Sequence, residues 1–104
     1  MRAKGSDTFC PLGPWMVTHF SVAEASHRQI VTRLDGEEVQ HSNTDQMIHT
    51  IPKLISHVSS FMTLLPGDVL LTGTPAGVGP MEPGQRVEVE IEGIGTLANT
   101  VVEA

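Results

Sequence analysis

Arg86-Val87-Glu88-Val89-Glu90-Ile91-Glu92 alternates without a break between charged and β-branched side chains. A period of two marks a strand, because successive side chains leave a pleated backbone on opposite faces. Val87, Val89 and Ile91 share one face, and Glu88, Glu90 and Glu92 the other. The expectation is a strand with an apolar inner face and a solvated acidic outer face. Three carboxylates this close together also suggest a divalent-cation site, but a solvated strand face is the better account of their spacing. Gly93 and Gly95 bracket a turn, and Thr96 to Val102 run back beside the first strand.

Upstream lies Pro66-Gly67-Asp68-Val69-Leu70-Leu71-Thr72-Gly73-Thr74-Pro75-Ala76-Gly77-Val78-Gly79-Pro80. Val69 to Leu71 read as a short apolar strand, and the Gly- and Pro-rich residues 72–84 as a shaped loop. Glycines such as Gly73 let a backbone approach a ligand closely, and Thr72 and Thr74 bring hydroxyls able to bind a carboxylate or carbonyl oxygen. A plain turn between strands is an equally good reading of these residues. No G-K-[S/T] or G-x-G-x-x-G follows, so this is not a familiar phosphate loop.

Further upstream, Gln29 to Leu34 alternate, Asp35-Gly36 signals a tight hairpin turn, and Glu38 to His41 return. Met47, Ile48, Ile51, Leu54, Ile55, Val58, Phe61 and Met62 recur at steps of three and four, the stripe of an amphipathic helix expected to pack on a sheet. Thr44 or Asp45 is placed to cap it. Pro52 interrupts the stripe, which predicts either a kink or a short turn followed by a helix starting near Pro52. Residues 1–18 form a second loop shaped by Gly5, Pro11, Gly13 and Pro14, with Trp15 to Val22 as a short extended stretch. The fold class is therefore mainly β with one long helix carrying an internal proline.

Composition narrows the functional classes. The 104 residues carry a formal net charge of −6, with no basic patch to follow a phosphate backbone or an anionic bilayer. No run reaches the roughly 18–20 apolar residues that span a membrane. A single cysteine, Cys10, excludes an internal disulfide, is read as a small buried or half-buried residue, and fits a reducing compartment, with the cytoplasm as the default. Phe9, Trp15, Phe20 and Phe61 are the only aromatic rings available for packing. His19, His27, His41, His49 and His57 lack the i, i+4 pairing of a zinc site. His49 and His57 are placed at the polar margin of the helix. Lys4 stands beside Ser6, Asp7 and Thr8. A positioned ammonium can stabilise a developing enolate or carboxylate, although composition alone favours a solvated terminal lysine.

Four segments taken together, K-G-S-D-T-F-C-P-L-G-P-W (4–15), N-T-D-Q-M-I (43–48), P-G-D-V-L-L-T-G-T-P-A-G-V-G-P (66–80) and V-E-V-E-I-E-G-I-G-T-L-x-N (87–99), resemble the fumarylacetoacetate hydrolase family in order and spacing. The forms of the first and third resemble the branch handling 2-hydroxyhepta-2,4-diene-1,7-dioate and its tricarboxylate precursor. The resemblance implies a partial mixed β-roll around a Mg²⁺ or Mn²⁺ site. It also implies hydrolysis, decarboxylation or isomerisation of 2-oxo (enol) dicarboxylic acids in aromatic-compound catabolism, often by a homodimer. By the same resemblance Lys4 is the catalytic lysine and Thr8 lies near the metal. Thr74, with Thr72 and Gly73, contacts the substrate. The family's metal carboxylates lie upstream of this lysine, so residues 1–104 are expected to be one partial catalytic domain that lacks its metal-binding portion. The alternative is a non-catalytic domain that pairs with a separate N-terminal half or serves in dimerisation.

Overall fold

The computed structural model describes residues 5–103. Its centre is one four-stranded antiparallel sheet in the order β2-β1-β3-β4, formed by β1 (Gln29–Leu34), β2 (Glu37–Asn43), β3 (Arg86–Ile91) and β4 (Gly95–Thr100). Two helices flank it, α1 (Val22–Ala25) and α2 (Ile51–Ser59). The fold is mainly β, as the alternation predicts.

Both hairpins form where the turn residues place them. Asp35 at φ 49° and Gly36 at φ 81° occupy the left-handed region required between β1 and β2. The register then slips by one residue. Thr32 faces Gln40 while Arg33 faces Glu38, so Val39 is left over as a bulge. Beyond the bulge, Gln40 and Ser42 share a face with Thr32 and Ile30, and through them with Val89 and Ile91 of β3.

Four departures from the sequence reading have physical causes. The acidic face of β3 is half-buried and ion-paired, not simply solvated: Arg33 reaches Glu90 at 2.8 Å and Arg86 reaches Glu88 at 2.8 Å. Val31, the one buried apolar residue among those described, lies opposite Glu90 and so on this same face. Val69 to Leu71 form no strand, since no described strand pairs with them and an extended segment without a ladder leaves its backbone polar groups unmatched. Finally, Trp15 to Val22 are not uniformly extended. Ser21 and Glu24 close a capping box around α1, a signal present in the sequence as Ser21-Val22-Ala23-Glu24.

The helical stripe is shorter and more open than its periodicity implies. Asn43 caps a 3₁₀ turn over Thr44–Gln46, and α2 begins afresh with Pro52 in its first turn, where the missing N–H costs nothing. This is the second of the two readings of Pro52. No residue of α2 is buried, and Ile48, Ile55, Phe61 and Met62 stand exposed, so the stripe does not pack onto the sheet. The rings likewise contribute little burial: Phe9, Trp15 and Phe61 are each more than half exposed. Cys10 is also exposed, not buried.

The segment before α1 is fastened to the β3–β4 turn. Trp15 Nε1 donates to the Ile94 carbonyl at 2.6 Å, and the indole edge lies 3.0 Å from where a Cβ on Gly95 would stand. Phe20 sits against Gly93 and under the Arg28 guanidinium, 4.1 Å from its ring centroid. No helix among the described residues is long and apolar enough to cross a membrane.

Candidate functional site

A groove of about 530 Å³ opens between the far end of the β1–β2 hairpin, the start of α2 and the loop after residue 71. One wall carries Thr72, Gly73, Thr74 and Pro75; the facing wall carries Asn43, Thr44, Gln46 and His49. Ile30 forms part of the apolar lining, together with Met47 and Leu54. The third and second of the four sequence segments therefore meet across one opening, although residues 49–71 lie between Asn43–Ile48 and Thr72.

The facing wall is held by hydrogen bonds within the protein. The Thr44 hydroxyl donates to the Ala25 carbonyl at 2.8 Å and accepts from the Arg28 amide at 2.9 Å. Asn43 Oδ1 accepts from the Asp45 amide at 3.0 Å. These groups shape the wall and are not free for a ligand. Thr72 and Thr74 are exposed, as is His49. Gly73 at φ 110° adopts a backbone that L side chains rarely reach, which turns the loop so that both threonines line the groove.

The loop is held against the bulge of β2. Gln40 Nε2 donates to Thr74 Oγ1 at 2.9 Å and to the Pro75 carbonyl at 3.0 Å. Gly77, at φ 100°, approaches so closely that a Cβ would collide with the Val39 carbonyl oxygen. Sequence reading missed Gln40 and Gly77 as determinants. A single bulge decides which way Gln40 faces, and no local pattern signals it.

Of the remaining predicted site residues, the one that is described, Thr8, does not join this groove. Thr8 is exposed at φ 68° in the turn closed by the Phe9 amide on the Ser6 carbonyl, and it does not line the opening. A β-branched residue in that conformation is unusual and strained. Lys4 lies outside the described residues. Among the described residues no three His, Cys, Asp or Glu side chains are grouped so as to hold a metal ion. Their donor set does not fit Mg²⁺ or Mn²⁺, which requires a cage of several oxygens. His27 Nδ1 stands 3.6 Å from the Asp45 carboxylate, and Glu38 meets His41 at 3.0 Å; both are surface pairs.

Solved structures share this architecture. The chain superposes on 5-carboxymethyl-2-hydroxymuconate delta-isomerase from Mycobacterium smegmatis with a TM-score of 0.94 at 53% identity, covering 100% of this chain and 40% of that one. For 2-hydroxyhepta-2,4-diene-1,7-dioate isomerase from Mycobacterium marinum the values are 0.91 and 52%, covering 97% and 39%. Maleylpyruvate hydrolase from Sphingobium sp. SYK-6, in complex with manganese(II) and pyruvate, gives 0.87 and 40%, covering 92% and 36%. Among curated relatives, the mitochondrial oxaloacetate tautomerase FAHD2A of Bos taurus is 48% identical over 109 residues, covering 98% of this chain and 35% of the relative. The chain thus spans well under half the length of the proteins it matches. Residues 1–102 match the family described as fumarylacetoacetate (FAA) hydrolase C-terminal, and the chain belongs to the fumarylacetoacetate hydrolase family.

Proposed function

We propose that this chain supplies the substrate-facing part of a site for 2-oxo (enol) dicarboxylic acids, within a divalent-metal-dependent hydrolase, decarboxylase or isomerase of aromatic-compound catabolism. The observation that carries the reading is the Thr72-Gly73-Thr74 turn facing Asn43–His49 across a groove large enough for a small dicarboxylic acid. Similar chains are isomerases, a hydrolase and a tautomerase whose named substrates are 2-hydroxydienoates or oxo acids, and one is in complex with manganese(II) and pyruvate. In this reading Thr74 and Thr72 donate to substrate oxygens while Gly73 admits them closely. Lys4 offers an ammonium to the developing enolate, and Thr8 lies on the metal side of the site. The carboxylates that hold Mg²⁺ or Mn²⁺ come from polypeptide outside these 104 residues, and the protein works in the cytoplasm.

The test is a titration of the isotope-labelled chain with pyruvate, followed by calorimetry with Mn²⁺. The expected result is amide shifts at residues 72–74 and no micromolar Mn²⁺ binding. Shifts confined to other surfaces would refute the groove assignment, and micromolar Mn²⁺ affinity would refute the external origin of the metal ligands.

A second reading, a non-catalytic domain that pairs with a separate N-terminal half or dimerises, is favoured by one observation. Ile48 is 95% exposed, Met16 85% and Leu71 77%, large apolar side chains left in solvent that a covering polypeptide would bury. Both readings call for a covering polypeptide. They separate on turnover: a reconstituted complex that binds oxo acids without converting them supports the second.

A further inference from the structure

We infer that Gln40 is a positioning residue that fixes the direction in which the Thr74 hydroxyl donates, making the groove wall selective for anionic oxygen. The inference rests on the reading that Thr74 faces a ligand. The chemistry of the Pro75 carbonyl settles the orientation of the Gln40 amide. A carbonyl oxygen only accepts, so the group 3.0 Å from it is the –NH₂ of Gln40, not its oxygen. The second proton of that same –NH₂ lies along the 2.9 Å contact to Thr74 Oγ1. Thr74 therefore accepts from Gln40, and its own proton is left to point elsewhere. Thr74 is exposed and lines the groove, so that proton is available to an acceptor bound there. A carboxylate or enolate oxygen makes the stronger, charge-assisted partner.

Three features of the fold make the arrangement stiff. Gln40 is half-buried on β2, in ladder register with Thr32 of the central strand β1. The bulge at Val39 turns Gln40 toward the loop. Gly77 seats the far end of the loop against the Val39 carbonyl, a contact only glycine permits. One direction is thus closed to the hydroxyl proton before a ligand arrives, which lowers the ordering cost of binding.

Gln40→Glu tests this in the 104-residue chain, with Gln40→Ala beside it and pyruvate as the probe. Glutamate keeps the length and shape of glutamine, but its carboxylate cannot donate. The Thr74 hydroxyl should turn to donate to the introduced carboxylate, the Pro75 carbonyl should lose its partner, and pyruvate affinity should fall about tenfold. Binding should partly recover as pH is lowered through the titration of that carboxylate, since its protonated form donates one bond; the parent chain should show no such recovery. Gln40→Ala should lower the backbone ¹⁵N order parameters of residues 72–77 while leaving those of β1 and β3 unchanged. A space-filling role predicts that the uncharged, similarly long Gln40→Met binds pyruvate as well as the parent, whereas loss of the donor lowers binding there too; binding equal to the parent would overturn the inference. If the loop responds to both substitutions but the parent shows no pyruvate shifts at residues 72–74, the ligand reading itself fails, and the donor role falls with it. If the loop responds to neither substitution, the clamp is absent and the inference fails while the ligand reading stands.

Discussion

Gly77→Ala should lift the 72–77 loop off β2, and its cost can be worked from the contacts. With the loop in place, alanine at φ 100° is strained by about 1–3 kcal/mol. Its Cβ also collides with the Val39 carbonyl oxygen, which is backbone and cannot swing aside. The closed loop therefore becomes the more expensive state. Lifting off relieves both penalties and forfeits the two Gln40 hydrogen bonds, at about 1 kcal/mol each. The smaller cost decides the outcome, so the measurable loss is about 2 kcal/mol, confined to the loop. Two glycines of the same loop supply controls. Gly73 has φ 110° with open space around its Cβ direction, so alanine there meets strain without collision. Gly79 has neither, and alanine should be neutral or slightly stabilising through the unfolded chain. Backbone ¹⁵N order parameters over residues 72–77 should rank the three as Gly77→Ala lowest, then Gly73→Ala, then Gly79→Ala. Equal order parameters for Gly77→Ala and Gly79→Ala would refute the close-approach argument.

Other consequences are equally accessible. Val31→Ala removes two methyl groups from the one buried apolar position among the described residues and should cost about 2 kcal/mol in chemical denaturation; a loss near zero would show that the sheet centre is not where the stability lies. Gly95→Ala should displace the Trp15 indole and make the fluorescence of this sole tryptophan more accessible to quenchers, whereas Gly36→Ala, with open space around its Cβ direction, should not. Glu24 is held below the usual glutamate range, first by the Ser21 backbone amide and then by the Ser21 hydroxyl. Because the folded value lies below the unfolded one, its contribution is present above the usual glutamate value and is lost as pH falls through the folded value. Glu24→Gln should accordingly flatten the acid limb of thermal stability against pH; an unchanged limb would show that the capping box carries none of it.

The features legible in the sequence alone are those that depend on interactions local in the chain. The alternation of Arg86–Glu92, the Asp35-Gly36 turn and the restart at Pro52 rest on backbone preferences within a few residues, and all three occur where the residues place them. The four spaced segments were also sufficient to identify the family. Their meaning as a site was only half legible: Thr72, Gly73 and Thr74 do line an opening, but nothing local indicates that Asn43–His49 forms the opposite wall.

The tertiary structure alone decided three things. The bulge at Val39 chose the face of Gln40, because a one-residue slip inverts every side chain beyond it. Pairing decided that Val69–Leu71 would not be a strand, since a ladder needs a neighbour that no local propensity supplies. Ion pairing converted the glutamate face of β3 from a solvated edge into a half-buried network, because Arg33 stands on the adjacent strand within reach of Glu90. Each of these depends on how one strand is paired with another, which no run of neighbouring residues specifies, while the elements themselves were set by residues next to one another.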